Sequence, residues 1–162
     1  SKDWIIFLAC LGIYGAIALW VGFKRGFLQW QPWPKAPLAW LRLTLLLFFT
    51  PALLEELIFR VLLLPYPTEL HQFWPTLGAM ALSLTLFVVY HPLNAWLFYK
   101  AGRPLFFQPM FLALAALLGF WATVLYWFTG SLWLITLFHW AIVAIWLLFL
   151  GGNAKLTVAN SP

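Results

Sequence analysis

The 162-residue chain holds four acidic residues, and two of them stand side by side inside an apolar run. The run is PALLEELIFRVLLL, residues 51–64, in which Glu55 and Glu56 are followed by Arg60. A charge at the centre of a bilayer costs roughly 2.5–3.5 kcal/mol on insertion scales, so such groups need a partner or a use. Glu56 and Arg60 are spaced i,i+4 and share a helix face, which suits an ion pair that fixes packing. Glu55 points about 100° away around the helix. One arginine does not easily neutralise both carboxylates, and the surplus carboxylate is a candidate general base. Two of the three histidines also fall in apolar stretches: His91 ends LTLFVVYH and His139 lies in LWLITLFHW. His71 reads as an ordinary loop residue. Either buried histidine alone is explained by a hydrogen-bonded place in a core. Glu55, Glu56, Arg60, His91 and His139 together, in three apolar segments with almost nothing else ionisable there, form a functional-site hypothesis.

Two carboxylates and two imidazoles admit three chemistries. They could activate a water for hydrolysis, with a glutamate as base and a histidine as partner or oxyanion donor. They could ligate zinc or iron. They could relay protons across a membrane. No HExxH spacing is present, so a zincin-type site has no support. A relay usually needs polar groups along the full depth of the bundle, and the remaining spans are poor in them. Ser83 and Ser131 have no nucleophile motif around them.

The composition states what must position these groups. The chain is 65% hydrophobic and 8% charged, against about 25% charged in soluble domains. This is an all-α, polytopic membrane helix bundle, a single domain over 1–162. At about 20 apolar residues per crossing, five candidate spans run near 4–23, 38–64, 76–99, 109–129 and 131–150. The first is too long for a signal-peptide core and is followed by Lys24-Arg25, so it reads as a retained helix. The second exceeds one straight span, and Pro51 is expected to divide it. Pro92, directly after His91, is expected to bend or unwind the end of the third. Cys10 has no cysteine to pair with.

The connection 24–37 mixes bases, tryptophans and prolines and reads as an interfacial segment. Trp4, Trp20, Trp74 and Trp133, among 12 tryptophans, fall near helix ends, as an aromatic belt requires. Lys24, Arg25, Lys35, Lys100, Arg103 and Lys155 fall in alternate connections, which predicts an outer N-terminus and a cytoplasmic C-terminus, with Lys2 dissenting. The net charge of +5 follows this pattern and does not imply nucleic acid. Counted from the outer span ends at about 1.5 Å per residue, Glu55 and His139 lie about 13 and 12 Å deep, and His91 about 22 Å. The third helix must start late or tilt if the three are to meet.

At these residues the chain resembles the CPBP family, the CAAX proteases and bacteriocin-processing enzymes also called Abi. Its EExxxR motif is matched by Glu55-Glu56-Leu57-Ile58-Phe59-Arg60, and its FxxxH motif by Phe87-Val88-Val89-Tyr90-His91. His139 matches a later histidine, but Val143 stands where the family places an Asn or similar polar residue. The likeness covers about 40–150, within a core over 38–150 that follows the first helix. It implies a glutamate-dependent intramembrane endopeptidase without a cofactor. It further implies that Glu55 and His91 activate a water, that Glu56 and Arg60 support them, and that His139 helps to hold the oxyanion. Val143 has no donor for that last role, and Asn94, beyond Pro92, is a poor replacement for it; Tyr90 is another candidate. The partners implied are the lipid bilayer and a peptide or membrane-protein substrate. The alternative is a non-catalytic relative, a scaffold or assembly partner for other membrane proteins. In a working site Glu55, His91 and His139 would converge on one reachable space; in a structural knot, neighbours would cap each of them.

Overall fold

A computed structural model describes residues 1–32, 37–69 and 73–158. His71 and residues 33–36, which include Lys35, lie outside them. The described residues form helices and turns with no strand. The first helix, α1 (Lys2–Lys24), carries Asp3 in its first turn and Lys24 in its last, both favourable to the helix dipole. It closes on Gly26, whose φ of +67° is left-handed. The amides of Phe27 and Leu28 donate back to the Gly22 carbonyl at 2.9 and 3.0 Å. Leu28 lies so close over Gly22 that a Cβ there would meet its Cδ1 at 2.5 Å.

The second apolar segment is an interrupted helix. The first piece, α2 (Pro37–Leu47), passes into a wide turn over Phe48–Leu53, the single turn α3 (Leu54–Glu56) and a second wide turn over Leu57–Val61. Thr50 has extended dihedrals (φ −134°, ψ 114°) directly before Pro51. The break therefore falls where the proline lacks an amide donor, as its position predicts. The bond from the Leu62 amide to the Leu57 carbonyl, 3.0 Å, spans five residues. Such π-type turns are frequent at functional sites, and here two of them bracket Glu55 and Glu56.

The remaining helices are α4 (Phe73–Leu97), the short α5 (Arg103–Phe106), α6 (Pro109–Thr129), α7 (Leu132–Phe149) and α8 (Gly152–Val158). The Ser131 hydroxyl caps α7, accepting from the Leu134 amide at 3.3 Å. Among the described residues four helices, α1, α4, α6 and α7, are long and apolar enough to cross a membrane. The fifth expected span is the interrupted helix. The expected unwinding at Pro92 does not occur, and α4 runs through it to Leu97. A proline removes one amide, and within a bilayer no water competes for the helix's other bonds.

Helix α6 is central, packed against α1, α4 and α7. Its buried Ala115, Gly119 and Thr123 recur every four residues, a spacing that lets helix backbones approach closely in lipid. The interrupted helix leans its first part on α7 and its last part on α4. A long row of large apolar side chains faces outward, Trp4, Trp20, Trp74 and Trp133 among them. With the four apolar helices, this surface makes the chain an integral membrane protein in contact with the bilayer.

Candidate functional site

Glu56, Arg60 and His139 form the deepest polar group. Glu56 and Arg60 have no exposed surface and His139 has 3%. One carboxylate oxygen, Glu56 Oε1, accepts from Arg60 Nη1 at 3.1 Å and from His139 Nδ1 at 2.7 Å. The first contact is the i,i+4 pair expected from spacing. The second joins residues 83 positions apart and exists because the interrupted helix packs on α7. With its Nδ1 proton on Glu56, His139 turns Nε2 to within 3.9 Å of Glu55 Oε2. It thus stands between the two carboxylates.

The Arg60 guanidinium lies over the Phe87 ring at 4.2 Å, a cation–π contact favoured by burial. Gly119 makes that placement possible. A Cβ there would lie 2.8 Å from Arg60 Nη2, 2.8 Å from Leu84 Cδ1 and 2.9 Å from Phe87 Cδ1. Gly119→Ala is therefore expected to cost about 1–3 kcal/mol through overpacking. The readout is the denaturation midpoint in detergent micelles, and an unchanged midpoint would contradict this packing.

His91 Nδ1–H donates to the Phe87 carbonyl at 2.8 Å, leaving Nε2 as the acceptor nitrogen of the neutral ring. Phe87, Phe106 and Phe111 meet the imidazole edge-on, with centroids 5.0, 5.9 and 5.4 Å away. The Phe87 ring also contacts His139, at 6.0 Å. The two imidazoles therefore flank one phenylalanine. Helix α4 has run 18 residues from Phe73 when it reaches His91, whereas α7 needs 7 from Leu132 to His139. Tyr90 packs its ring between Phe59 and His91.

Glu55, His91 and His139 all line one cavity of about 470 Å³. Glu55 is 7% exposed and its Oε2 has no hydrogen-bond partner among the described residues. Glu56 and Arg60 are not among the lining residues and lie behind it. The cavity continues along apolar walls to Phe27, Leu28 and Leu150, which pack together beside Leu105. Val143 is on its wall, and so is Asn94, which α4 carries past Pro92. Among the described residues no group of three or more His, Cys, Asp or Glu side chains is disposed to hold a metal ion.

Several contributors carry no motif in the sequence. Trp140 Nε1 donates to the Thr44 carbonyl at 2.6 Å, pinning α2 to α7 one residue from His139. Ser83 donates its hydroxyl to the Phe59 carbonyl, beside Arg60. Trp140→Phe is expected to cost about 0.5–1.5 kcal/mol, the net worth of one such bond. The same micelle denaturation reads it, and a midpoint equal to wild type would show that the bond does not hold the broken helix.

The chain's residues 37–145 match the family model described as type II CAAX prenyl endopeptidase Rce1-like, in agreement with the resemblance carried by the motifs at 55–60 and 87–91. No curated protein and no solved structure matches the chain.

Proposed function

From the premise that the chain belongs to the Rce1-like family of type II CAAX prenyl endopeptidases, we propose that it is an intramembrane endopeptidase. It hydrolyses a peptide bond near the membrane surface with a water activated by Glu55 and His91. The observation that carries this reading is the shared cavity. Glu55, His91 and His139 come from three helices to one space, and Glu55 Oε2 has no hydrogen-bond partner among the described residues, whereas a purely structural knot would have capped it.

The geometry supports a division of roles. Glu55, held on α3, takes a proton from the water as it attacks the peptide carbonyl and returns it to the leaving nitrogen. The tautomer of His91, fixed by its bond to Phe87, presents Nε2 to the water's second hydrogen. Glu56 and Arg60 do not touch substrate. They position His139, whose Nε2 faces Glu55 and, in the imidazolium form, offers an N–H to the oxygen that becomes anionic.

The protein reconstituted in vesicles is expected to shorten a prenylated CAAX peptide, seen as a truncated product by mass spectrometry. A peptide recovered intact under conditions where the protein is folded would count against the reading.

The orientation proposed for this enzyme has the N-terminus outside and the C-terminus in the cytoplasm. It is supported by the gathering of charge at one end. The backbone amides of Gln29 and Gln31 bond to the end of α7, and Lys155 lies over Phe27 at 4.8 Å. In the sequence Lys24 and Arg25 stand between Phe23 and Phe27, and Arg103 two residues before Leu105; Phe23, Phe27 and Leu105 are members of one packed cluster. A Lys155→Cys variant should react with an impermeant maleimide only in inverted vesicles. Labelling of right-side-out vesicles would reverse the assignment.

A further inference from the structure

Hydrolysis of a peptide bond places negative charge on the carbonyl oxygen, and a fixed hydrogen-bond donor aimed at that oxygen supplies much of the rate. Besides His139 Nε2, which faces Glu55, the site's motif residues offer the cavity few donors. His139 Nδ1–H is on Glu56 and His91 Nδ1–H is on the Phe87 carbonyl. Arg60 has Nη1 on Glu56, and its Nε and Nη2 have no hydrogen-bond partner among the described residues, but it is fully buried and does not line the cavity. Val143, one turn after His139 on the cavity wall, has an apolar side chain and no donor.

Asn94 also lines the cavity and has two amide protons and no charge. It lies three residues after His91 in an unbroken helix, so both side chains share one face, with Cβ atoms about 5–6 Å apart. Helical side chains lean toward the N-terminus, which carries the Asn94 amide toward His91. The end of α4 that holds Asn94 is secured from outside. Arg103 Nε donates to the Ala95 carbonyl at 3.3 Å and Nη2 to the Trp96 carbonyl at 3.0 Å. The Asn94 carbonyl accepts from the Phe98 and Tyr99 amides at 2.9 and 2.8 Å. A donor on such a support is preorganised, as transition-state stabilisation requires.

The other donors on the cavity wall are less well placed. Trp146 is seven residues beyond His139, about 10 Å along the helix, with its ring stacked on Phe27. Tyr99 follows the end of α4 and packs on Phe106. Tyr14 approaches from α1 with its ring edge-on to Phe138 at 5.9 Å, and it is the competitor to test.

We propose that the Asn94 side-chain amide is a catalytic residue, donating to the oxyanion from α4 beside His139 and in place of the donor that position 143 lacks. This rests on the endopeptidase reading. The test uses the full-length protein in vesicles with a prenylated CAAX peptide, comparing wild type, Glu55→Gln, Asn94→Leu, Asn94→Asp and Tyr14→Phe. Cleavage by wild type and not by Glu55→Gln upholds the reading on which the inference stands; no cleavage by wild type overturns both. Given that cleavage, Asn94→Leu and Asn94→Asp are each expected to lower kcat by about 10²–10³-fold, the range for loss of one oxyanion donor, with KM little changed. Asn94→Asp keeps the side chain's shape and so decides the matter if Asn94→Leu fails to fold. Asn94→Asp with wild-type kcat, a loss confined to KM, or the full kcat loss in Tyr14→Phe would overturn the assignment to Asn94 while leaving the endopeptidase reading intact.

Discussion

Glu55→Gln is expected to lower the rate of peptide hydrolysis by about 10²–10⁴-fold, the usual contribution of a positioned general base, and to leave the bundle folded. Both halves follow from the geometry. The Glu55 Oε2 has no hydrogen-bond partner among the described residues, so exchanging it for an amide nitrogen breaks no hydrogen bond seen in the fold and alters only the 3.9 Å contact with His139 Nε2. Its function is lost because a glutamine side chain cannot accept a proton from water. Rates measured in vesicles beside the denaturation midpoint of each protein check the result. A variant that is inactive and also unstable would move Glu55 from the chemistry to the framework.

The second large effect is structural. Arg60→Met is expected to cost about 3–5 kcal/mol, the range for removing one partner of a buried ion pair. The Glu56 carboxylate has no exposed surface and would then face its surroundings with His139 alone. The double variant Glu56→Gln/Arg60→Met should recover much of that loss, because no uncompensated carboxylate remains at position 56. The comparison distinguishes a charge penalty from the loss of the guanidinium's packing over Phe87. If the double variant is as unstable as Arg60→Met, packing is the larger part. In both variants His139 loses its anchor or its neighbour, so activity is expected to fall whichever outcome holds.

Glu55 and Glu56 show why adjacent identical residues take different parts. They differ by about 100° around the helix, and that rotation sends one to the cavity wall and the other behind it. This much was legible in the sequence: two carboxylates in an apolar run, one arginine at i,i+4, and therefore one acid to spare. The break before Pro51 was legible for the same local reason, a missing amide. The partnership of His139 with Glu56 was not, because it depends on how the interrupted helix packs against α7 across 83 positions. Counting depth from span ends did not anticipate that His91 and His139 share one phenylalanine and one cavity. That α4 continues through Pro92 and brings Asn94 to the cavity wall was not legible, because in a membrane helix the surrounding bonds can persist past a proline. Gly119 had only a weak signal, its four-residue spacing from Ala115 and Thr123, and its meaning depends on the guanidinium that fills the space beside it.

The central claim is that this cavity cleaves peptide bonds through Glu55. The most direct measurement compares protein N-termini in membranes of cells lacking the protein, complemented with wild type or with Glu55→Gln at equal abundance. The account predicts a set of termini present with wild type and absent with Glu55→Gln. Identical termini in the two, with both versions restoring the same phenotype, would contradict it and leave the buried glutamates as architecture in a membrane scaffold.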